Sequence, residues 1–128
     1  MNAANLTALI GRALLALIFI ISGFGKLADP TGTIAFITST GAPLPELGYA
    51  IALFVELGLA TALLIGYRAR IVALAIALFT LVTAFMFHFD LNDQLQTILF
   101  LKNLAITGGL LQIVVHGAGN LSLDGNRR

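Results

Sequence analysis

The chain has 128 residues, of which 59% are hydrophobic and 10% charged, and its net charge is +1. A soluble domain carries roughly 25% charged residues, and one this small keeps most of its residues near water, so these proportions argue for a surface that faces lipid. The weak charge gives no electrostatic footprint for nucleic acid, and the absence of cysteine excludes disulfides, thiol relays and thiolate metal sites.

The first apolar stretch covers about residues 6–27. It is longer than the roughly 7–15 residue apolar region of a signal peptide and carries Arg12 inside it, so it reads as a retained span. Asp29-Pro30 ends it, because a residue before proline is pushed out of helical geometry. Positions 12, 19, 23 and 26 return to one face of a helix, which places Arg12, Phe19, Gly23 and Lys26 together. Arg12 then either points into the bundle or snorkels to headgroups. Residues 31–45 set Ile34, Phe36 and Ile37 among threonines and continue with Gly41-Ala42-Pro43. They predict a short interfacial or re-entrant helix followed by a turn, with an extended loop as the alternative.

The second stretch covers about 46–65, with Pro45 near its start and Gly66 as its C-terminal cap. The third covers about 70–89 and carries Ala69, Ala73 and Ala77 at a spacing of four, a seam for close helix packing like Gly58 and Ala62 in the second. The fourth covers about 94–116, with Asn92 or Asp93 as N-cap and Gly117 as stop. Gly108-Gly109 either packs against a neighbour or loosens the helix beside a ligand. Each stretch is near the roughly 20 residues that cross a hydrocarbon core. Each is apolar nearly all round rather than alternating, which argues against a barrel. The predicted fold is all-α: one integral membrane domain, 1–128, built as a four-transmembrane-helix bundle with a short interfacial or re-entrant segment between helices 1 and 2.

Orientation follows the basic residues of short loops. Arg68, Arg70, Arg127 and Arg128 fall on one side of four spans, and Asp29, Glu46, Asp90 and Asp93 on the other. Both termini are therefore expected to face the cytoplasm.

Ionisable groups inside spans carry the functional signal, because each costs about 2.5 to 3.5 kcal/mol at a helix centre and must face the bundle interior, a polar cavity or the interface. Glu56 lies near mid-membrane, where a carboxylate must be protonated or paired. By helical rise it sits about 15 Å from the acidic side, and Lys102 about 12 Å from the same side, so the depths match within a turn. Lys26 and His88 belong to the same half. Glu56, Lys102 and His88 are therefore the candidate catalytic residues, and Lys26, Arg12 and Asn103 the candidate ligand-binding ones. Either the group forms a polar pocket, or Glu56 and Lys102 form a buried ion pair that fixes register while Lys26 and His88 reach for water, or the residues are unconnected. His88 and His116 lie on opposite sides of the membrane and cannot share a metal, and no Glu-x-x-His pair of the di-iron bundles is present. No metal site is expected.

Arg12 with Ser22-Gly23-Phe24-Gly25-Lys26-Leu27, Glu56-Leu57-Gly58 with Gly66, Arg70, His88, and Lys102-Asn103 with Gly108-Gly109 follow one another in an order that resembles the DoxX family. These are small four-helix bacterial membrane proteins, and the resemblance covers nearly the full chain. It implies a multi-pass protein of the bacterial cytoplasmic (inner) membrane, surrounded by the lipid bilayer. It also implies a component of a quinone-linked oxidoreductase, with quinone as cofactor. By the chemistry of the residues, Lys102 and His88 would then donate to the quinone carbonyls and Glu56 would exchange the proton. The other readings are a non-enzymatic membrane subunit that docks a partner protein or assembles as a homo-oligomer, and a small-solute transporter.

Overall fold

A computed structural model describes residues 2–126. Arg127 and Arg128, which enter the orientation argument, lie outside them. The described residues form α1 (Ala3–Ala28), α2 (Pro30–Ser39), α3 (Pro45–Ile65), α4 (Ala69–Phe87), α5 (Gln94–His116) and a last turn α6 (Leu123–Asn126). Four of these, α1, α3, α4 and α5, are long and apolar enough to cross a membrane. The residues between the first two spans form the short helix α2 followed by a turn.

Local chemistry explains the boundaries. The Asn2 side chain accepts from the Asn5 amide at 2.8 Å and caps α1. Asp29 ends α1 and caps α2, accepting from the Gly32 amide at 3.0 Å, with Pro30 in the first turn. Gly66, at φ 77°, closes α3. Its amide donates to the Leu63 carbonyl and that of Tyr67 to the Ala62 carbonyl, a Schellman arrangement that satisfies carbonyls otherwise left open. Asp93, rather than Asn92, caps α5 through the Leu95 amide, and Gly117 ends that helix. The cap of α4 comes from far away in sequence. The two carboxylate oxygens of Asp124 accept from the amides of Arg68 and Ala69 at 2.8 and 2.7 Å.

The core lies where α1, α3 and α4 meet. Ala16 and Phe19, Val55 and Leu63, and Ala73, Ile76 and Ala77 form one buried cluster, with Leu110 reaching in from α5. Ala69, Ala73 and Ala77 are all buried, the last two in this cluster. The Gly58–Ala62 seam is not realised. Gly58 is exposed and meets only its own Phe54, because residues 54–59 wind as a single π-helical segment inside α3, which shifts the face they present. Helix α1 packs on α3, and α5 packs on α4, so the spans make two hairpins joined through α3 and α4.

Two arginines fasten the end of the bundle that carries the α3–α4 loop, called here the basic end. Arg12 Nη2 donates to the Leu121 carbonyl at 2.6 Å, and Nη1 to those of Leu63 and Leu64 at 3.4 and 3.3 Å. Arg70 Nη1 does the same for α5, donating to Val115 at 2.7 Å and Val114 at 3.4 Å. In each hairpin, an arginine of the first helix donates to carbonyls in the last turn of the second helix.

Candidate functional site

Toward the opposite, acidic end the helices part around a cavity of about 960 Å³. Most of its wall is apolar, including Phe19, Phe36, Phe79 and Ile106. That volume is near the top of the roughly 300–1,000 Å³ range of ligand pockets. Five of the six candidate site residues line it: Lys26, Glu56, His88, Lys102 and Asn103. The sixth, Arg12, lines a different hollow at the basic end. Only 2% of Arg12 is exposed, and its guanidinium is engaged with backbone carbonyls.

Glu56 lies in the π-helical segment Phe54–Leu59. A π turn widens the helix by one residue and occurs mostly at sites with a local demand. Here α1 comes close: a methyl group added to Gly23 would lie 2.6 Å from Leu57 Cδ2 and 3.2 Å from Glu56 Cβ. Glycine at position 23 is what allows that approach.

The ion pair of the site joins Glu56 to Lys26, not to Lys102. Lys26 Nζ donates to Glu56 Oε1 at 2.9 Å and to Ser22 Oγ at 2.9 Å. The Glu56 side chain is 4% exposed and that of Lys26 27%, so the carboxylate is the buried partner and depends on the lysine for its counter-charge. Matching depth along two helices fixes height but not direction around the axis, which is why depth alone pointed to Lys102. Ser22 stands four residues before Lys26, one turn away on the same face, a signal the sequence did hold. The Tyr49 hydroxyl donates to the Lys26 carbonyl at 3.0 Å and ties the end of α1 to α3.

The lining from α4 and α5 is less committed. Lys102 is exposed, lines the cavity, and makes no hydrogen bond or ion pair among the described residues. Asn103 is half-buried beside it, and its backbone carbonyl accepts the Thr107 hydroxyl at 2.8 Å. His88 Nδ1 pairs with Gln96 Oε1 at 2.9 Å, linking the end of α4 to the start of α5. Thr80 and Thr83 complete the polar lining from α4, though their hydroxyls donate to their own helix, to the Ile76 and Thr80 carbonyls. No group of three or more metal-ligating side chains converges among the described residues. The cavity thus offers an apolar slot lined by a charge pair from α1 and α3 and by an uncommitted cation beside an amide from α5.

The sequence pattern of the DoxX family matches residues 7–89, which include most of α1 and all of α2, α3 and α4. The chain belongs to the DoxX family. Two relatives from Escherichia coli strain K12 are similar over most of their length. The inner membrane protein YqjF is 36% identical over 118 residues, covering 91% of this chain and 88% of the relative. The inner membrane protein YphA is 36% identical over 121 residues, covering 91% and 86%. No solved structure matches the chain. With four apolar spans and this family, the protein is an integral membrane protein. The family match covers Lys26, Glu56 and His88 but stops before Lys102 and Asn103.

Proposed function

We propose that the protein binds a quinone in the cavity at the acidic end, as the membrane component of a quinone-linked oxidoreductase. The single observation that carries this reading is the cavity itself: about 960 Å³ and mostly apolar, with Lys26 and Glu56 from one hairpin and His88, Lys102 and Asn103 from the other among its lining. A quinone has an apolar ring with a carbonyl at each end, so it needs such a slot and one donor on each side. Lys26 from one hairpin, and Lys102 with Asn103 from the other, supply those donors. When bound, the quinone supplies the redox couple, with electrons delivered by a partner protein. The residues of this chain bind, orient and handle the proton. Glu56 Oε1 is held by Lys26, whereas Oε2 has no hydrogen bond among the described residues and belongs to a side chain that lines the cavity. A proton can therefore be held or released at Oε2 while Lys26 stays in place. The inner membrane is the expected location, from the printed names of the two relatives, with both termini in the cytoplasm from the placement of Arg68 and Arg70.

The second reading, a membrane subunit without redox chemistry, draws on the same ion pair used as a strut. The two separate on purified protein in nanodiscs. Wild type is expected to carry quinone at near-stoichiometric amount in its lipid extract and to bind added quinone. Glu56→Gln is expected to retain the fold and lose most of the binding or the coupled proton uptake. Protein that neither carries nor binds quinone overturns the redox reading. If Glu56→Gln then destabilises the fold by about 3–5 kcal/mol, because Lys26 is left unpaired, the strut reading stands.

A further inference from the structure

Helices α1 and α5 border two hollows, not one. The larger is the cavity already described, where Ile18 and Phe19 of α1 and Asn103 and Ile106 of α5 form part of the wall. The smaller, about 250 Å³, lies toward the basic end, where Gly11 and Leu15 of α1 and Gly109 and Ile113 of α5 line it. On both helices the second hollow begins one turn after the first. Leu15 precedes Ile18 by three residues and Gly109 follows Ile106 by three, about 4.5 Å of rise. Between them the helices touch through the Leu15 side chain, whose Cδ2 would lie 3.5 Å from a methyl on Gly109. Methyl groups at Gly11 and Gly108 would meet nothing within 4 Å. Because α1 packs mainly on α3 and α5 mainly on α4, α1 and α5 meet each other over only a short length. From Lys102 to His116 the seam between them runs about 21 Å, most of a hydrocarbon core of about 30 Å.

The two hollows differ in chemistry. The larger holds the charge pair and the amide. The smaller is mostly apolar in its exposed lining, with Gln112 and His116 at its border, and its buried cation, Arg12, already spends its terminal nitrogens on backbone carbonyls. It therefore suits a hydrocarbon segment and not a second polar head.

We propose that the α1/α5 seam is the site of a hydrocarbon tail: the ring of the ligand occupies the larger cavity, and a polyprenyl tail on that ring passes Leu15 and Gly109 into the smaller hollow. This rests on the quinone reading and narrows it to membrane-resident, tail-bearing quinones that enter from the lipid. Continuity is the argument for this occupant, since both hollows share the same two helices and are separated by one turn. A tail leaving lipid gains no hydrophobic energy, only packing, so the preference for a tailed ligand is modest, about five- to tenfold.

The test compares the ubiquinone ring without a tail and the same ring with its full polyprenyl tail, by competition for the protein in nanodiscs. The variants are Gly109→Leu and Gly11→Leu, which fill the smaller hollow from opposite helices. Position 11 is exposed and unobstructed, so its variant keeps the test valid if Gly109→Leu fails to fold. Partition of the tailed compound into lipid is common to all proteins, so the ratio between wild type and variant decides. The expected result is that each folded variant loses the five- to tenfold tail preference and binds the bare ring as wild type does. Equal tail preference in wild type and variants overturns the proposal while leaving the quinone reading intact. A change in oligomeric mass with unchanged tail preference assigns the seam to a second copy and also overturns it. Binding of neither compound by wild type overturns the quinone reading itself, and with it this one.

Discussion

Replacing Arg12 by methionine tests whether this arginine is a fastener and not a ligand-binding residue. Methionine keeps much of the apolar stem and removes the guanidinium. The short bond to the Leu121 carbonyl, 2.6 Å, is a charge-assisted hydrogen bond worth about 1.5–3 kcal/mol net. The two longer contacts, 3.4 Å to Leu63 and 3.3 Å to Leu64, share one nitrogen and together count as one further bond at the low end of that range. The gross loss is about 3–4.5 kcal/mol. Against it stands relief from burying a charge whose Nε has no partner, about 1 kcal/mol for an unsatisfied polar group. The net expectation is about 2–3.5 kcal/mol of destabilisation, read as a shift in detergent-unfolding free energy of the purified protein. The segment 117–126 should also become accessible to protease before the spans unfold. Arg12→Lys should recover less than half of the loss, since an ammonium lacks the planar fork that reaches both α3 and Leu121. If Arg12→Met is within about 0.5 kcal/mol of wild type and the terminal segment stays protected, the fastening role is wrong. Binding of the bare quinone ring should be unchanged in this variant, because Arg12 lines the smaller hollow and not the larger cavity.

Two further substitutions probe how the site is built. Gly23→Val should cost about 1–3 kcal/mol through overpacking against Leu57 and Glu56, and should weaken ligand binding by displacing Lys26 from Glu56; unchanged stability would show that α1 and α3 do not approach as closely as described. Asp124→Ala removes the cap from the amides of Arg68 and Ala69 and should cost about 0.5–2 kcal/mol, with faster amide exchange confined to the first turn of α4; unaltered exchange there would refute the cap.

The spans were legible because length and hydropathy decide them, and the bilayer enforces both. The Ala69, Ala73, Ala77 seam was legible because a regular α-helix keeps its phase, and α4 is regular. Glu56, Lys26, His88 and Lys102 could be gathered at one depth because rise per residue is nearly constant. What failed was direction around the axis. The partner of Glu56 depends on how α1 and α3 rotate against each other, and that rotation is set by Gly23 and by a π turn that no local pattern announces. Arg12 looked like a ligand-binding group for a related reason. Its partners are backbone carbonyls of Leu63, Leu64 and Leu121, and backbone groups leave no mark in a sequence. Asp124 was missed for the converse reason. A carboxylate in a polar terminal segment looks like a solvated charge until the fold brings it to the start of α4.

The π turn at Phe54–Leu59 separates two requirements that a membrane helix usually meets together. One residue more or less in a helix changes its phase by about 100° while altering its length by about 1.5 Å. Deleting a single residue there would leave a span about as apolar, and still long enough to cross the bilayer. The cell's insertion machinery would have no reason to treat it differently. The half carrying Tyr49 and Ala52, however, would be turned by more than a quarter of a revolution relative to the half carrying Leu63. Such a protein would be delivered to the membrane and retained there with a misaligned cavity. Abundance in the membrane is therefore a poor proxy for an intact site in this protein, and variants in α3 need a binding readout as well as an expression one.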